Sequence, residues 1–343
     1  MLLGQRNQRG VILVVVLVFA LLLASMVATF LRRATVDNMV ARNRDAAARA
    51  ESIARGGVRL ATVLLVEDAL RSDETGLDID TSSELWAQIG LIEIPVDDNG
   101  STLRLQIHDA GERLNLNAVL AVDEEGALHD NAAPLIDALL EKVIDEIPIP
   151  PGEKLWDRAD LVANLMDFVD PDDVRQRGGL EDDDYQLRTP PQRPANRPLL
   201  SVDEVGAVEG FDTVLLNALR PYVTVYPYSG EGGINPNTAP PHVLALLFFD
   251  DGVDLRLAPE DTVRQILRAR QEGLMVCAED QSDEACRPIR EIVPNAIYPP
   301  PSFRSDVFVA RAEGRVAGVK RTVEAVLDRR GGGEPVLLSW RVL

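Results

Sequence analysis

Cysteine, histidine, aromatic and basic residues are all scarce in this sequence. Its 343 residues include two Cys and three His, 5% aromatic residues, and 35 Lys and Arg against 55 Asp and Glu, for a formal net charge of −20. No histidine lies near the two cysteines, so the sequence lacks the closely spaced sulfur and nitrogen ligands of a zinc site. Proteins that bind nucleic acid are usually basic, and we therefore exclude that class.

Charged residues are missing entirely from residues 11–31. This run follows a ten-residue segment with two Arg and no acidic residue, and Ser25 and Thr29 are its polar members. About 20 apolar residues cross the hydrocarbon core of a bilayer as a helix, so the run predicts a membrane span. A secretory signal cleaved near residue 28 is the alternative, although most signal cores are only about 7–15 residues long.

Proline is absent after the span until Pro95, and the intervening residues are rich in the helix formers Ala, Arg and Glu. Apolar residues recur there at spacings of three and four, as on one face of a helix. These features predict one helix over about 11–70, roughly 90 Å long, with a kink at Gly56-Gly57. A membrane anchor followed by a separate helix is the alternative interpretation.

Strand-like alternation occurs at both ends of the region after the helix. Leu103, Leu105 and Ile107 share one face of a predicted strand that follows an Asp-Asn-Gly turn, and residues 307–343 predict two or three more strands. Between them, over about 112–290, the apolar spacing is helical. The sequence therefore predicts an α+β fold in which a long N-terminal helix packs on a small antiparallel sheet, with a large all-helical domain inserted.

Two Asn-x-Asn sequences lie in the predicted insertion, at 115–117 and 235–237. Each precedes a stretch rich in Leu and Val, and an Asn side chain can cap the free backbone N–H groups at a helix start. We interpret them as paired helix starts. A helix-hairpin-helix module for nucleic acid, indicated by residues 201–212, is rejected because acidic side chains crowd its turn.

The two cysteines, Cys277 and Cys286, lie nine positions apart in a polar, turn-rich stretch. In a domain exported from the cytoplasm, such a pair favours a disulfide over two free thiols. Closing a loop of about ten residues would stabilise the fold by roughly 2.5–3 kcal/mol in the chain-entropy model.

Acidic residues are concentrated in residues 157–185. Calcium binds about six to eight oxygen ligands, and carboxylates held close together are relieved by a cation, so this segment predicts a calcium site, although it is not an EF-hand. The candidate ligands are Asp167, Asp170, Asp172, Asp173, Glu181, Asp182, Asp183 and Asp184. A solvated acidic loop is the alternative interpretation. A second possible location is the loop between the cysteines, with Glu279, Asp280, Asp283 and Glu284.

Four sequence features together resemble a known family. The Arg9-Gly10-Val11 junction before the apolar run looks like the leader of a type IV prepilin or pseudopilin. The segments LNLNA, LVANLMDFVDPDD with GGLEDDDY, and INPNTAPPHVLALL follow in that order. The chain thus resembles the minor pseudopilin K family of type II secretion. The resemblance implies cleavage after Gly10 by a prepilin peptidase, methylation of the Val11 amine and calcium in the insertion. Nothing in it implies an enzyme, and we expect none.

The resemblance also implies a location and partners. It places a single-pass anchor in inner-membrane lipid and the soluble part in the periplasm. It implies assembly with minor pseudopilins of the I and J types and with the major pseudopilin at the tip of a pseudopilus. Secreted substrates and the secretin channel are the further partners that it implies. A minor pilin of a type IV pilus-like system and a membrane-anchored periplasmic enzyme are the alternatives.

One departure from the pilin pattern indicates a position in the assembly. Most pilins carry Glu at the fifth residue after cleavage, where this chain has Val15. In such fibres that carboxylate is thought to meet the charged amine of a neighbouring subunit in an apolar bundle, where an unpaired charge is unfavourable. A subunit without it cannot neutralise a neighbour above itself, so we expect this protein to cap the pseudopilus and to initiate its assembly.

The predicted domain organisation has five parts. They are a prepilin leader (1–10), the transmembrane part of the N-terminal helix (11–31), the first part of the pseudopilin domain (32–111), the inserted helical domain (112–290) and the C-terminal strands of the pseudopilin domain (291–343).

Overall fold

The structure is a computed structural model that describes residues 8–75, 78–123, 127–148, 156–172, 174–175, 179–180, 182–187, 189–250, 255–279 and 285–343. Within these residues the α-helices are α1 (Gln8–Thr75), α2 (Leu85–Gln88), α3 (Leu116–Val119), α4 (Ala132–Asp145), α5 (Arg158–Val169), α6 (Asp182–Gln186), α7 (Thr213–Leu219), α8 (Pro241–Leu244) and α9 (Glu260–Gln271). The strands are β1 (Ile94–Pro95), β2 (Thr102–Asp109), β3 (Leu114–Asn115), β4 (Val223–Thr224), β5 (Phe248–Asp250), β6 (Leu255–Leu257), β7 (Met275–Cys277), β8 (Cys286–Pro288), β9 (Ile297–Tyr298), β10 (Val307–Val316), β11 (Val319–Asp328) and β12 (Val336–Val342).

The N-terminal helix α1 is a single element of 68 residues, roughly 100 Å long at 1.5 Å per residue. This confirms the prediction of one long helix. The helix is uninterrupted at Gly56 and Gly57, where we expected a kink, and the second glycine has another role. A Cβ atom at Gly57 would lie 2.7 Å from both the Ala312 Cβ and the Leu103 Cδ1 atoms, so its absence lets the helix approach the sheet closely.

The helix packs on one face of a five-stranded antiparallel sheet with the order β1-β2-β10-β11-β12. The buried face of β2 consists of Leu103, Leu105 and Ile107, as the alternating pattern predicted. Small and branched side chains of α1, among them Ala54 and Leu65, fill the space between helix and sheet. The predicted fold class, a long helix on an antiparallel sheet within an α+β fold, is confirmed.

The chain leaves this sheet after β2 and returns to it at β10, and the residues between form the inserted region. Its core is a separate hydrophobic cluster. Helix α4 contributes one apolar face to it, with buried side chains at helical spacing: Leu135, Ile136, Leu139, Leu140 and Val143. The insertion is therefore a folded unit that is built on its own core.

The inserted region differs from the prediction in two respects. It contains short strands as well as helices, paired as β3-β4, β6-β5-β9 and β7-β8, so it is not all-helical. Strands of two or three residues are too short to produce a recognisable alternating pattern. Residues 291–306 were predicted to belong to the pseudopilin sheet, but Ile297–Tyr298 pairs with β5 of the insertion, and the returning strand begins at Val307.

The two Asn-x-Asn sequences adopt the same local arrangement. The Asn115 side chain caps α3 by accepting from the Asn117 backbone N at 3.0 Å, and Asn235 accepts from the Asn237 backbone N at 2.9 Å. The next helix after Asn235, α8, has Pro240 at its N-cap. The helix-start interpretation therefore holds in full for the first pair. After the second pair a helix does start, at Pro241, but Pro240 and not an Asn is its N-cap.

Candidate functional sites

The N-terminal part of α1 has the properties of a membrane span. Its large apolar residues from Val11 to Leu31 are 47% to 73% exposed, and an 18-residue window has a mean hydropathy of 3.2 with none of it buried in the protein. By length and composition it is the one helix within the described residues that could cross a membrane. Apolar surface on this scale is unfavourable in water and favourable in lipid. Gly10 lies in the first turns of this helix, and its cleavage stays a prediction.

Two of the predicted calcium ligands are deeply buried at the end of α5. Asp167 is 0% exposed and Asp170 is 2% exposed. Between them, the Phe168 carbonyl oxygen accepts from the backbone N atoms of residues 195 and 196, at 2.9 and 3.0 Å. The Asn196 Oδ1 atom is buried there and has no hydrogen-bond partner within the described part of the chain. Buried oxygen atoms of this kind suit a cation that prefers oxygen ligands.

The other predicted ligands are arranged differently. Asp172 accepts from the Val174 backbone N at 2.6 Å, Asp183 is exposed, and Asp184 forms an ion pair with Arg175 at 2.7 Å. Asp173, Glu181 and the side chain of Asp182 lie outside what the structure describes. Within the described residues, these carboxylates do not form a group of three ligands.

The second location considered for calcium is only partly described. Cys277 and Cys286 form a disulfide, with Cα atoms 6.0 Å apart, that links β7 to its partner strand β8. Glu279 of the intervening loop forms an ion pair with Arg290. Asp280, Asp283 and Glu284 lie outside the described residues.

A cluster that the sequence did not reveal lies where α1, the sheet and the inserted region meet. Asp68, Asp80 and Glu84 have carboxylate oxygens within 4.8 Å of one another. Arg329 donates from Nη1 to Asp68 at 2.8 Å and from Nη2 to Asp80 at 2.6 Å. These four residues and the buried Asp109 form what we call the junction cluster. They are scattered over 260 residues of sequence, so no spacing motif could have indicated them.

Burial and crowding shift the acidities in the junction cluster. Burial raises the pKa of Asp80 to about 7, although the neighbouring Arg329 guanidinium opposes this shift. Burial, together with the charges of Asp68 and Asp80, raises the pKa of Glu84 to about 8. Burial also raises the pKa of Asp109.

Comparison with known proteins agrees with this architecture. The family described as "Type II secretion system (T2SS), protein K" matches residues 112–228. The chain is 32% identical over 267 residues to type II secretion system protein K of Klebsiella pneumoniae, covering 77% of this chain and 76% of the relative. It is 26% identical to the Aeromonas hydrophila protein of that name, covering 97% of this chain and 96% of the relative.

A solved structure shares the fold. The crystal structure of the GspK-GspI-GspJ complex from the type 2 secretion system of enterotoxigenic Escherichia coli matches with a TM-score of 0.57 and 22% identity, covering 91% of this chain and 99% of that chain. A long apolar helix packed on an antiparallel sheet is the architecture of a pilin-like subunit. The chain belongs to the type II secretion system protein K family.

Proposed function

We propose that this protein caps the tip of the type II secretion pseudopilus, initiates its assembly with minor pseudopilins of the I and J types, and thereby supports export of folded proteins across the outer membrane. Membership of the protein K family supports this role, as does the similar fold in a complex named for GspK, GspI and GspJ. The role is structural and involves no catalytic step.

The observation that carries the proposal is the position of the inserted region on the stalk. Asp68, at the junction with the insertion, lies 37 residues beyond the end of the apolar run at Leu31, which is roughly 55 Å along a helix. The insertion therefore occupies the end of α1 remote from the membrane. Further subunits stacked above this end would collide with it, whereas subunits below are unobstructed.

The N-terminus supports the same position. Val15 stands where most pilins carry Glu, so this subunit offers no carboxylate to the amine of a subunit above. Its own Val11 amine remains available to the Glu of a subunit that follows. This asymmetry fits the first subunit of a fibre.

We further propose that the protein is processed and anchored as the family resemblance implies. A prepilin peptidase cleaves after Gly10 and the Val11 amine is methylated. The apolar part of α1 remains in the inner membrane as a single span, with the rest of the chain in the periplasm. The major pseudopilin, secreted substrates and the secretin channel are the further contacts of the assembled tip.

Calcium binding in the inserted region is also part of the proposal. Asp167 and Asp170 would provide carboxylate oxygens, and Asn196 would add its buried Oδ1 atom. The acidic residues 172–173 and 181–184 are the remaining candidates. A bound calcium ion would supply positive charge and hold the acidic segment in one conformation.

The tip position is tested by locating the protein on the fibre. We expect labelled full-length protein at one end of overproduced pseudopili in electron micrographs, and we expect loss of secretion in a strain that lacks it. Label repeated along the shaft would contradict the proposal, and so would normal tip complexes and normal secretion in the deletion strain.

A further inference from the structure

The junction cluster brings together side chains from several segments of the pseudopilin part at the place where the inserted region begins. Asp68 comes from α1, Asp80 and Glu84 from the connection between α1 and β1, Asp109 from the end of β2, and Arg329 follows β11. Asp80 and Arg329 are 2% and 4% exposed. The cluster therefore lies in the interior, where unbalanced charge is unfavourable.

Hydrogen bonds extend the cluster into the inserted region. Asn235 donates from Nδ2 to Asp109 Oδ2 at 3.0 Å and to the Asp80 backbone O at 3.3 Å. On the returning segment, the Ser305 backbone N donates to Asp80 Oδ2 at 2.5 Å, and the Ser305 backbone O accepts from Arg329 Nε at 2.9 Å. The position of the insertion relative to the stalk thus depends on these contacts.

One guanidinium lies beside three neighbouring carboxyl groups and pairs with two of them. Arg329 uses its Nη atoms for Asp68 and Asp80 and its Nε atom for Ser305. Glu84 receives a hydrogen bond from the neutral Trp86 Nε1 at 2.5 Å and forms no ion pair with any described residue. If every carboxyl group were ionised, Glu84 would lie unneutralised beside two other negative charges. Holding a proton on Glu84 removes that repulsion.

Among the residues that the structure describes, the other charged groups near the cluster do not provide a second cation for Glu84. Arg304 pairs with Asp78 and Arg330 pairs with Asp328. Asp306 and Glu112 add further negative charge near Arg329 and Asp109 respectively. Asp109 itself is bound by neutral donors, among them Thr238 Oγ1 and the Gly111 backbone N.

We propose that the junction cluster is a proton-linked latch between the pseudopilin part and the inserted region, held closed by a proton on Glu84 and loosened when that proton leaves. When Glu84 ionises, Asp68, Asp80 and Glu84 compete for one guanidinium, and the contacts of Arg329 with Asp80 and Ser305 weaken. The insertion then gains freedom relative to the stalk. The rigidity of the molecule would follow the pH of its compartment.

The pH range follows from the acidities of the free and folded states. The pKa of Glu84 rises from its ordinary 4.5 to about 8 on folding. Between pH 4.5 and 8, Glu84 holds a proton in the closed state that it has lost in the open or unfolded state. The closed state therefore becomes less stable as pH rises from about 4.5 to about 8, and its stability stays constant above about pH 8. Asp80 contributes in the same direction, since its pKa is raised to about 7.

The test compares the wild type with Glu84→Gln in the full chain in detergent micelles. Gln preserves the shape and the Trp86 contact but cannot ionise. In hydrogen exchange corrected for intrinsic rates, we expect the opening constant at the amides of Asp80 and Ser305 to rise with pH in the wild type between pH 5 and 8, by up to about tenfold per pH unit for each linked proton. In Glu84→Gln the rise is several-fold smaller. The exposed Glu334→Gln variant is the charge-matched control and should follow the wild type.

Two results would overturn the latch. One is a Glu84→Gln variant whose pH dependence at these amides parallels that of the wild type. The other is independent of any variant: in the wild-type chain, a Glu84 side-chain carboxyl carbon that titrates below pH 6 by NMR shows that no proton is held. Titration near pH 8, with the weaker pH dependence in Glu84→Gln, supports it.

Discussion

Single amide side chains link distant parts of the inserted region. Asn117 donates from Nδ2 to the backbone O atoms of Leu199 and Val225, at 2.9 and 2.8 Å, and accepts from the Leu199 N at 2.8 Å. Asn237 pairs in the same two-way manner with the backbone of Val276, at 2.8 and 2.7 Å. In each Asn-x-Asn sequence, the first Asn shapes the local turn with its Oδ1 atom and donates from Nδ2 to a remote backbone O atom, whereas the second Asn pairs in both directions with a remote backbone segment.

Removing one of these amides should destabilise the fold strongly. Asn117→Ala leaves three buried backbone groups without their partner, and each such group costs about 1–3 kcal/mol, so we expect a loss of about 3 kcal/mol or more in the free energy of unfolding. Asn217→Ala, on the exposed face of α7, is the matched control and should change stability by less than about 0.5 kcal/mol. Chemical denaturation measures both, and equal effects would contradict the role of Asn117.

A second residue-scale prediction concerns processing. We expect mass spectrometry of membrane-extracted protein to find a mature chain that starts at methylated Val11. Gly10→Leu should retain the leader and prevent assembly, because a bulky side chain would block the peptidase at the scissile bond. Gly4→Leu, elsewhere in the leader, should be processed normally. An N-terminus at Met1 or after Ala28 in the wild type would contradict this.

At the scale of elements, the contact between α1 and the sheet depends on small residues. A Cβ atom at Gly314 of β10 would lie 2.0 Å from the Ala50 backbone O, and Gly57 is similarly confined from the helix side. Gly56, its neighbour, faces open space. Of these two adjacent glycines in α1, Gly57 has no room for a side chain, whereas Gly56 has room for one.

This pair gives a matched test of the packing. Gly57→Ala should destabilise the protein by about 1–3 kcal/mol, because the new methyl group overlaps Ala312 and Leu103. Gly56→Ala should stabilise it by about 0.5–1 kcal/mol through higher helix propensity. Thermal unfolding of the two variants measures whether each raises or lowers the Tm. A change of Tm in the same direction for both variants would refute the packing argument.

The elements differ in how well the sequence predicts them, for physical reasons. Helix α1 and strand β2 could be predicted because their apolar residues recur at a regular spacing over many residues, which indicates an element with one buried face. The tertiary pairings of Asn117 and Asn237 and the junction cluster were not predictable, since no local pattern encodes a partner 39 or more residues away. The acidic composition of residues 157–185 was evident from the sequence. The burial of Asp167 and Asp170 was not, because it depends on how α5 packs.

At the scale of the whole molecule, calcium should stabilise the chain if it binds only the folded acidic segment. We expect the full chain in detergent to gain about 2.7 kcal/mol at a calcium concentration one hundredfold above Kd, seen as a higher Tm than in chelator. Asp170→Asn should abolish the gain, whereas Asp160→Asn, exposed on α5, should retain it. An equal Tm with calcium and with chelator would favour the solvated-loop interpretation.

The two ends of the inserted region meet at one place on the sheet. Asp109 lies directly opposite Phe308 on neighbouring antiparallel strands, so their Cα atoms are about 5 Å apart. If a short turn replaced residues 110–306, β2 and β10 would keep their register and would be joined as an ordinary β-hairpin. The product would be a compact subunit without the insertion. The same splice point would accept any foreign domain whose termini are adjacent. The stalk and sheet thus form a generic carrier, and engineered cargo could be displayed at its end.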